Sequence, residues 1–322
     1  MAIVGVVKSL RFDRIRGWAF DTGSRKPVII KVMIGDVHVR SLRPVYSYPA
    51  FTDAVEDGRA GFKFRMYPEL AAYVNPEQPL SFVVKDKALP LPNTKIYDRP
   101  GSLPLSDLRQ KLENGWVVSK KGQLHKALDE SPEWGGAVVA FYTRARDVFR
   151  SLFGYDLYIA YGTLLGHVRN NGVIPGDDDF DAAYLSKESD PAQVGAELAS
   201  IVRQLKAAGE AADFSAKRVF IKWKDRRSGV SIDIFPSWTS GDDYYLTFGV
   251  GAPIAKEMSA GFEEVTFLGA PALMPIAAET LLRNTYGDNW RIPDPLFQWV
   301  EPRRLNLVLQ QVRQAALQPA EY

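Results

Sequence analysis

The chain has 322 residues, 46% hydrophobic and 24% charged, with a formal net charge of +2. That balance fits a globular protein of two domains and gives no reason to expect nucleic acid as a partner. Cysteine is absent, which excludes disulfide staples, thiolate metal sites and cysteine nucleophiles, and suits a reducing compartment.

The first ten residues hold a short apolar run broken by Lys8, without the charged start, long apolar core and cleavage site of a signal peptide. No stretch approaches the roughly 18 apolar residues of a spanning helix. The expectation is a soluble, cytoplasmic protein with no transmembrane segment, for which any membrane contact is peripheral, at the inner face.

Residues 1–90 read as a small β-sandwich. Strand-like runs at Ile3–Val7, Gly17–Phe20, Val28–Ile34, Val37–Val39, Gly61–Met66 and Leu80–Val84 are separated by turn residues such as Asp21-Thr22-Gly23 and Gly35-Asp36. Trp18 can either fill that core or stack on a sugar. Residues 91–105 carry Pro92, Pro100 and Pro104, which remove backbone donors and favour extended chain, so a linker is expected there.

From 106 to 322 the pattern becomes mixed α/β. Val138, Tyr142, Ala145, Phe149 and Leu152, with Phe141 and Val148 alongside, recur at helical spacing, as do Val194, Leu198, Ile201, Val202 and Leu205. Leu281, Leu282, Leu305, Val308 and Val312 suggest terminal helices. Helices alternating with short strands imply a small mixed sheet covered by helices.

Between the first two helical patterns lies the stretch most dense in chemistry. Leu157 to Tyr161 reads as a buried strand ending at Gly162-Thr163, where Gly162 allows a close approach to phosphate and Thr163 can cap a helix from Leu164. Asp177, Asp178, Asp179 and Asp181 then fall within five residues. Acids so crowded call for a positive charge among them. Strand alternation puts Asp179 and Asp181 on one face and Phe180 on the other. A third acid, Asp233, stands in the β-rich run Val230–Phe235, where burial without a partner would be costly. Together Asp179, Asp181 and Asp233 form a hard-oxygen site for Mg²⁺ or Mn²⁺. Gly-Thr, Asp-x-Asp and a third Asp on a later strand is the layout of the nucleotidyltransferase fold.

Competing readings exist for several of these residues. Asp177, Asp179, Asp181 and Glu188 also fit an EF-hand spacing, although Ala182 stands where that loop needs Gly. Asp177 and Asp178 can simply fix the turn. The basic run Lys217, Arg218, Lys222, Lys224, Arg226 and Arg227 is either a solvated hairpin or a contact to phosphates, with Lys222 deepest in it. Trp223, Trp238, Trp290 and Trp299 can pack the core or cage a quaternary ammonium. His167 has no second His near enough to make a metal pair.

Gly162-Thr163-Leu164-Leu165-Gly166, Val168-Arg169, Gly172, Ile174-Pro175 and Asp177-Asp178-Asp179-x-Asp181 resemble the signature of the LicD family, which includes bacterial phosphocholine transferases and fukutin-related ribitol-phosphate transferases. Ile232-Asp233-Ile234-Phe235-Pro236 is similar to its second motif. Tyr286-Gly287-Asp288-Asn289-Trp290-Arg291-Ile292-Pro293 resembles its C-terminal Tyr-Gly-x-Trp-x-x-Pro stretch with one residue added. The departures are Gly176, where the family usually has Trp, and His167, where it usually has a small residue. The Arg16–Asp21 segment with Gly61-Phe62 resembles an accessory β-domain attached to some bacterial glycosyltransferases.

The resemblance implies transfer of a phospho-alcohol (phosphocholine, glycerol phosphate, ribitol phosphate or similar) from a CDP-linked donor to a glycan or lipid-linked sugar, in surface glycan biosynthesis. Asp179, Asp181 and Asp233 are the expected metal ligands and catalytic acids, with Asp233 nearest the acceptor hydroxyl. Gly162, Thr163, Arg169, Asp178, Lys222 and Trp290 are expected to bind substrate. Spacing alone allows nucleotidyl transfer with pyrophosphate release equally well, and a silent glycan-binding or scaffolding protein is the third alternative.

Overall fold

The computed structural model describes residues 2–11, 14–48, 53–56, 58–92, 100–119, 122–127, 131–175, 177, 179–216, 218–247, 249–294, 296–297 and 305–318. The chain forms two compact units, Met1–Ala127 with Asp294–Val300, and Leu128–Pro293 with Glu301–Tyr322. No helix of the described residues is long and apolar enough to cross a membrane.

The first unit is built from two antiparallel sheets. One orders Ile3–Arg11, Arg14–Asp21, Arg59–Phe64 and Tyr46–Ser47, with Lys26–Pro27 added to the second strand; the other orders Val37–Leu42, Ile30–Ile34, Leu80–Val84 and Lys87–Ala88. Alternation turns Ile15, Phe62 and Phe64 of the first sheet and Ile30, Val32 and Phe82 of the second into one core. Phe62 and Phe82 meet with ring centres 5.5 Å apart. Gly17 is required at the sheet interior, because a Cβ there would lie 2.5 Å from the Val6 carbonyl and 2.6 Å from the Phe62 ring. Trp18 is half-buried against Phe20 and Tyr48, the packing alternative of the two sequence readings.

The helix Leu105–Glu113 and the hairpin Trp116–Val118/Leu124–Lys126 bury Leu108, Val118 and Leu124 in this same core. By contact, residues 105–127 therefore go with the β-rich unit, although the sequence pattern groups them with the α/β region. Prolines mark extended backbone, whereas contacts follow the apolar faces beyond it. Residues 93–99 of the expected linker lie outside the described residues.

The second unit centres on a mixed sheet ordered Tyr158–Ile159, Asp181–Leu185, Ser231–Ser240, Phe220–Lys224 and Ala211–Ser215. The far half of Ser231–Ser240 also pairs with Asp243–Leu246, which carries Val250–Ala252. Only the Asp181–Leu185 and Ser231–Ser240 pairing is parallel within this sheet. Parallel neighbours need a crossover, and the helix Pro191–Ala207 with the hairpin after it supplies one. That helix starts cleanly: Pro191 occupies its first turn, and the Asp190 carboxylate accepts the Ala192 and Gln193 N–H groups at 2.9 and 3.1 Å.

The helix Pro132–Phe153 buries Val138, Phe141, Tyr142, Ala145 and Phe149 against the sheet, while Leu152, expected on that stripe, is exposed. It ends at Gly154 in the left-handed conformation, φ +67°. Pro191–Ala207 buries all five residues expected of it, and Leu305–Leu317 buries Leu305, Leu309, Val312 and Ala316. A mixed α/β unit and a β-rich unit are the architecture the sequence implies.

Candidate metal centre

The floor of the site is set by strand register. Asp181 is the direct neighbour of Asp233 in the parallel pair, so both carboxylates stand at the same end of adjacent strands and on one face. Asp233 is locked there by its N–H, which donates to the Phe180 carbonyl at 2.9 Å. Phe180, on the opposite side of the chain from Asp179 and Asp181, is buried against Tyr142 with ring centres 5.0 Å apart. The outcome is that Asp179, Asp181 and Asp233 each present a carboxylate oxygen, all within 4.8 Å of one another. Asp181 and Asp233 are buried and Asp179 half-buried.

Around this floor, the helix Tyr161–Asn170 begins with its first turn against the acids. The Gly162 N–H donates to the Asp181 carboxylate at 3.1 Å, and the Asp181 N–H donates to the Thr163 hydroxyl at 2.8 Å. Thr163 is thus inside the helix, which starts at Tyr161, and does not cap it as the sequence suggested. Its hydroxyl instead fixes the entry of the acid strand. Gly162 matters for space: a Cβ would lie 2.6 Å from one Asp177 carboxylate oxygen and 3.4 Å from one of Asp181. Tyr161 holds φ +42°, a conformation disfavoured for a residue with a side chain. It is over-determined by its ring against Phe235, centres 4.8 Å apart, and by its hydroxyl, which donates to the Thr247 carbonyl.

Three carboxylates so close repel one another, and burial sharpens the cost. Lys222 supplies a compensating charge. It lies directly across the ladder from Asp233, and its ammonium donates to the Asp233 carboxylate at 3.2 Å. Hard, mutually repelling oxygen donors are the donor set that suits a divalent cation, so the residues fit one.

Of the remaining expected contacts, Arg169 is half-buried on the same helix and donates to the Trp290 carbonyl at 3.2 Å. Burial lowers its guanidinium from the ordinary value while the nearby Tyr286 hydroxyl opposes that shift; a guanidinium remains charged regardless. Trp290 itself is buried, and Arg291 covers its ring at 4.3 Å. It is placed to hold Arg169 through its backbone rather than to offer an open ring face. Asp178, Gly176, Lys217 and Trp299 lie outside the described residues.

Several alternatives resolve against function. Asp181 opens a strand that runs through Ala182 to Leu185, so the chain leaves the acids before Glu188 and the EF-hand spacing does not close into a loop. In the basic run, Lys224, Arg226 and Arg227 are exposed beside a turn in which Ser228 donates to Asp225, and Lys222 reaches the acids. Trp223 and Trp238 are fully buried core residues, so they cannot cage a soluble cation. His167 packs edge-on to Phe267 and is not among the clustered acids.

Tyr286 was missed as a site residue, although it opens the third motif. It is the last residue of the helix Ala278–Tyr286. Burial pushes its hydroxyl well above the ordinary phenol range, and Asp181, Asp177 and Asp179 push it further, against Arg169. Its hydroxyl therefore stands near both the acids and Arg169. Asp177, expected to fix the turn, is buried beside Gly162, with its N–H on the Ile174 carbonyl at 3.0 Å. The sequence signal for both is their position at motif ends.

No curated protein matches the chain. Residues 154–275, which contain all three clustered acids, match the family model LicD/FKTN/FKRP, nucleotidyltransferase domain. The second unit thus carries a LicD-family nucleotidyltransferase domain over residues 154–275, a domain of the kind found in transferases of glycan biosynthesis.

Proposed function

We propose that the protein transfers a phospho-alcohol from a CDP-linked donor to a sugar hydroxyl of a glycan or lipid-linked acceptor, with Mg²⁺ or Mn²⁺ held by Asp179, Asp181 and Asp233. The observation that supports this most is the convergence of three carboxylate oxygens within 4.8 Å in a domain of this family. A bound divalent cation supplies charge neutralisation at the donor's phosphates and polarises the phosphoryl oxygens.

The chain's own residues do the positioning. The acceptor hydroxyl oxygen attacks the phosphorus bearing the alcohol. The bond from that phosphorus to the bridging oxygen breaks, and CMP departs with the electron pair. Asp233 takes the hydroxyl proton. Lys222, already on Asp233, is placed to share its ammonium with a phosphate oxygen, and Arg169 to grip the diphosphate in a two-point contact. The helix start at Gly162 directs N–H groups at the same region, where they favour negative charge. Asp178 and Trp290 belong to the donor side in this reading, Trp290 by holding Arg169 in place. Such chemistry belongs to surface glycan synthesis and places the enzyme in the cytoplasm, peripheral at the inner membrane face.

Incubation with Mg²⁺ and a panel of CDP-alcohols and nucleoside triphosphates tests the reading. CMP release coupled to acceptor modification is expected. Pyrophosphate release would show a nucleotidyltransferase instead. Glycan binding without turnover of any donor would show a silent binding protein.

A further inference from the structure

The outer face of the first sheet in the β-rich unit carries a group of cations that transfer chemistry does not use. Arg14 and Arg16 are exposed on it, while Ile15 and Gly17 between and beside them turn inward. Register places Arg11 directly opposite Arg14, and Lys63 directly opposite Arg16. Arg65 follows two residues after Lys63, on the same side of the chain. All five are exposed. Like charges facing one another across a ladder are destabilising, so the pairs Arg11/Arg14 and Arg16/Lys63 do not themselves strengthen the sheet. Among the described residues, the paired positions on that face (Val6, Ser9, Arg11, Arg14, Arg16, Trp18, Gly61, Lys63 and Tyr46) include no acid.

Tyr46 stands among these cations. The Lys63 ammonium lies 3.6 Å above its ring centre. Arg65 and Arg16 act electrostatically on its hydroxyl, against the effect of burial. Past Gly61 the face becomes apolar, where half-buried Trp18 packs with Tyr48 and Val4. Long cationic side chains with Tyr46 among them suit a surface at lipid headgroups, where guanidinium and ammonium groups meet phosphates and a Tyr sits at the polar boundary.

We propose that this face docks the protein onto an anionic phospholipid bilayer. Cations spread in two dimensions over adjacent strands match a planar array of phosphates better than one extended soluble polyanion, which a single row would serve. Each cation near such a surface contributes about fivefold in affinity.

The full chain is to be sedimented with vesicles of phosphatidylcholine alone, and of an equimolar mixture with phosphatidylglycerol. Binding to the mixed vesicles only is expected, abolished near ~1 M salt, where the screening length falls to about 3 Å. The double variant Arg16→Gln/Arg65→Gln should bind more than ~10-fold more weakly while keeping its thermal midpoint and the CMP release of the parent on a soluble acceptor. No binding to mixed vesicles, or binding the variant retains, would overturn the proposal. So would binding to inorganic polyphosphate without binding to vesicles, which would assign the face to a soluble polyanion.

Discussion

Asp181 and Asp233 are held by backbone register and by hydrogen bonds that an amide can also accept, so their charge is separable from their structural role. Asp181→Asn and Asp233→Asn should each lower metal-dependent transfer by on the order of 10³-fold, the equivalent of several kcal/mol. In chelator their thermal midpoints should equal or exceed that of the parent, because a repelling charge is gone. Paired melts and Mn²⁺ titration calorimetry check both halves. A large drop in midpoint without loss of Mn²⁺ binding would mean the acids brace the fold instead. Gly162→Ala tests the same crowding sterically. The added methyl meets a carboxylate end rather than backbone, so Asp177 can yield. The expected effect is weakened Mn²⁺ affinity with a midpoint shift below about 1 kcal/mol, since side-chain ends move cheaply.

His167 offers a pH test at the same scale. Burial holds its imidazole below the ordinary value of 6.5. Below that pH the unfolded chain binds a proton that the folded one resists, so stability falls as pH drops from 6.5 toward the lowered folded value. Above 6.5 both states are neutral at this residue and it adds no slope. His167→Gln should flatten this part of the dependence of the thermal midpoint on pH, measured between about pH 7.5 and about pH 5.5.

At the scale of elements, the site depends on how closely one helix meets the turn after it. A Cβ on Gly166 would lie 2.5 Å from the Gly172 carbonyl oxygen, and the Gly172 N–H donates back to the Gly166 carbonyl at 3.2 Å. Unlike Gly162, this glycine faces backbone, which cannot rotate away. Gly166→Ala should therefore cost about 1–3 kcal/mol of stability, seen in denaturant unfolding, and should displace the following acids as a secondary effect. The central pairing obeys the same logic. Asp233 faces Asp181 on one side and Lys222 on the other. Three adjacent strands thus carry the partner acid, the acid and its counter-charge in one row, which no loop could hold as rigidly.

For the whole molecule, the two units have separate hydrophobic cores, one spanning both sheets of the β-sandwich and one around the mixed sheet. A cation held by Asp179, Asp181 and Asp233 stabilises only the unit that contains them. Calorimetric scans with and without Mg²⁺ should show one transition moving and one fixed. At a hundredfold excess over the dissociation constant the shift corresponds to about 2.7 kcal/mol. Movement of both transitions, or of neither, would count against the assignment.

Much of this was legible in the residues themselves. Strand alternation around Phe180 and the apolar stripe Val194 to Leu205 depend on local periodicity, and both appear in the fold as read. The Gly-Thr and Asp-x-Asp spacing likewise named the acids before their geometry was known. Tertiary structure alone decided the rest. Thr163 became an acceptor for Asp181 rather than a cap, because the helix begins three residues earlier, at a strained Tyr161. Residues 105–127 joined the β-rich core because apolar faces choose partners by contact and not by nearness to prolines. Tyr286 reached the acids from more than a hundred residues away. Local pattern is written along the chain, but which distant side chains share a few ångströms is settled only when the sheet's register is fixed and the helices close over it.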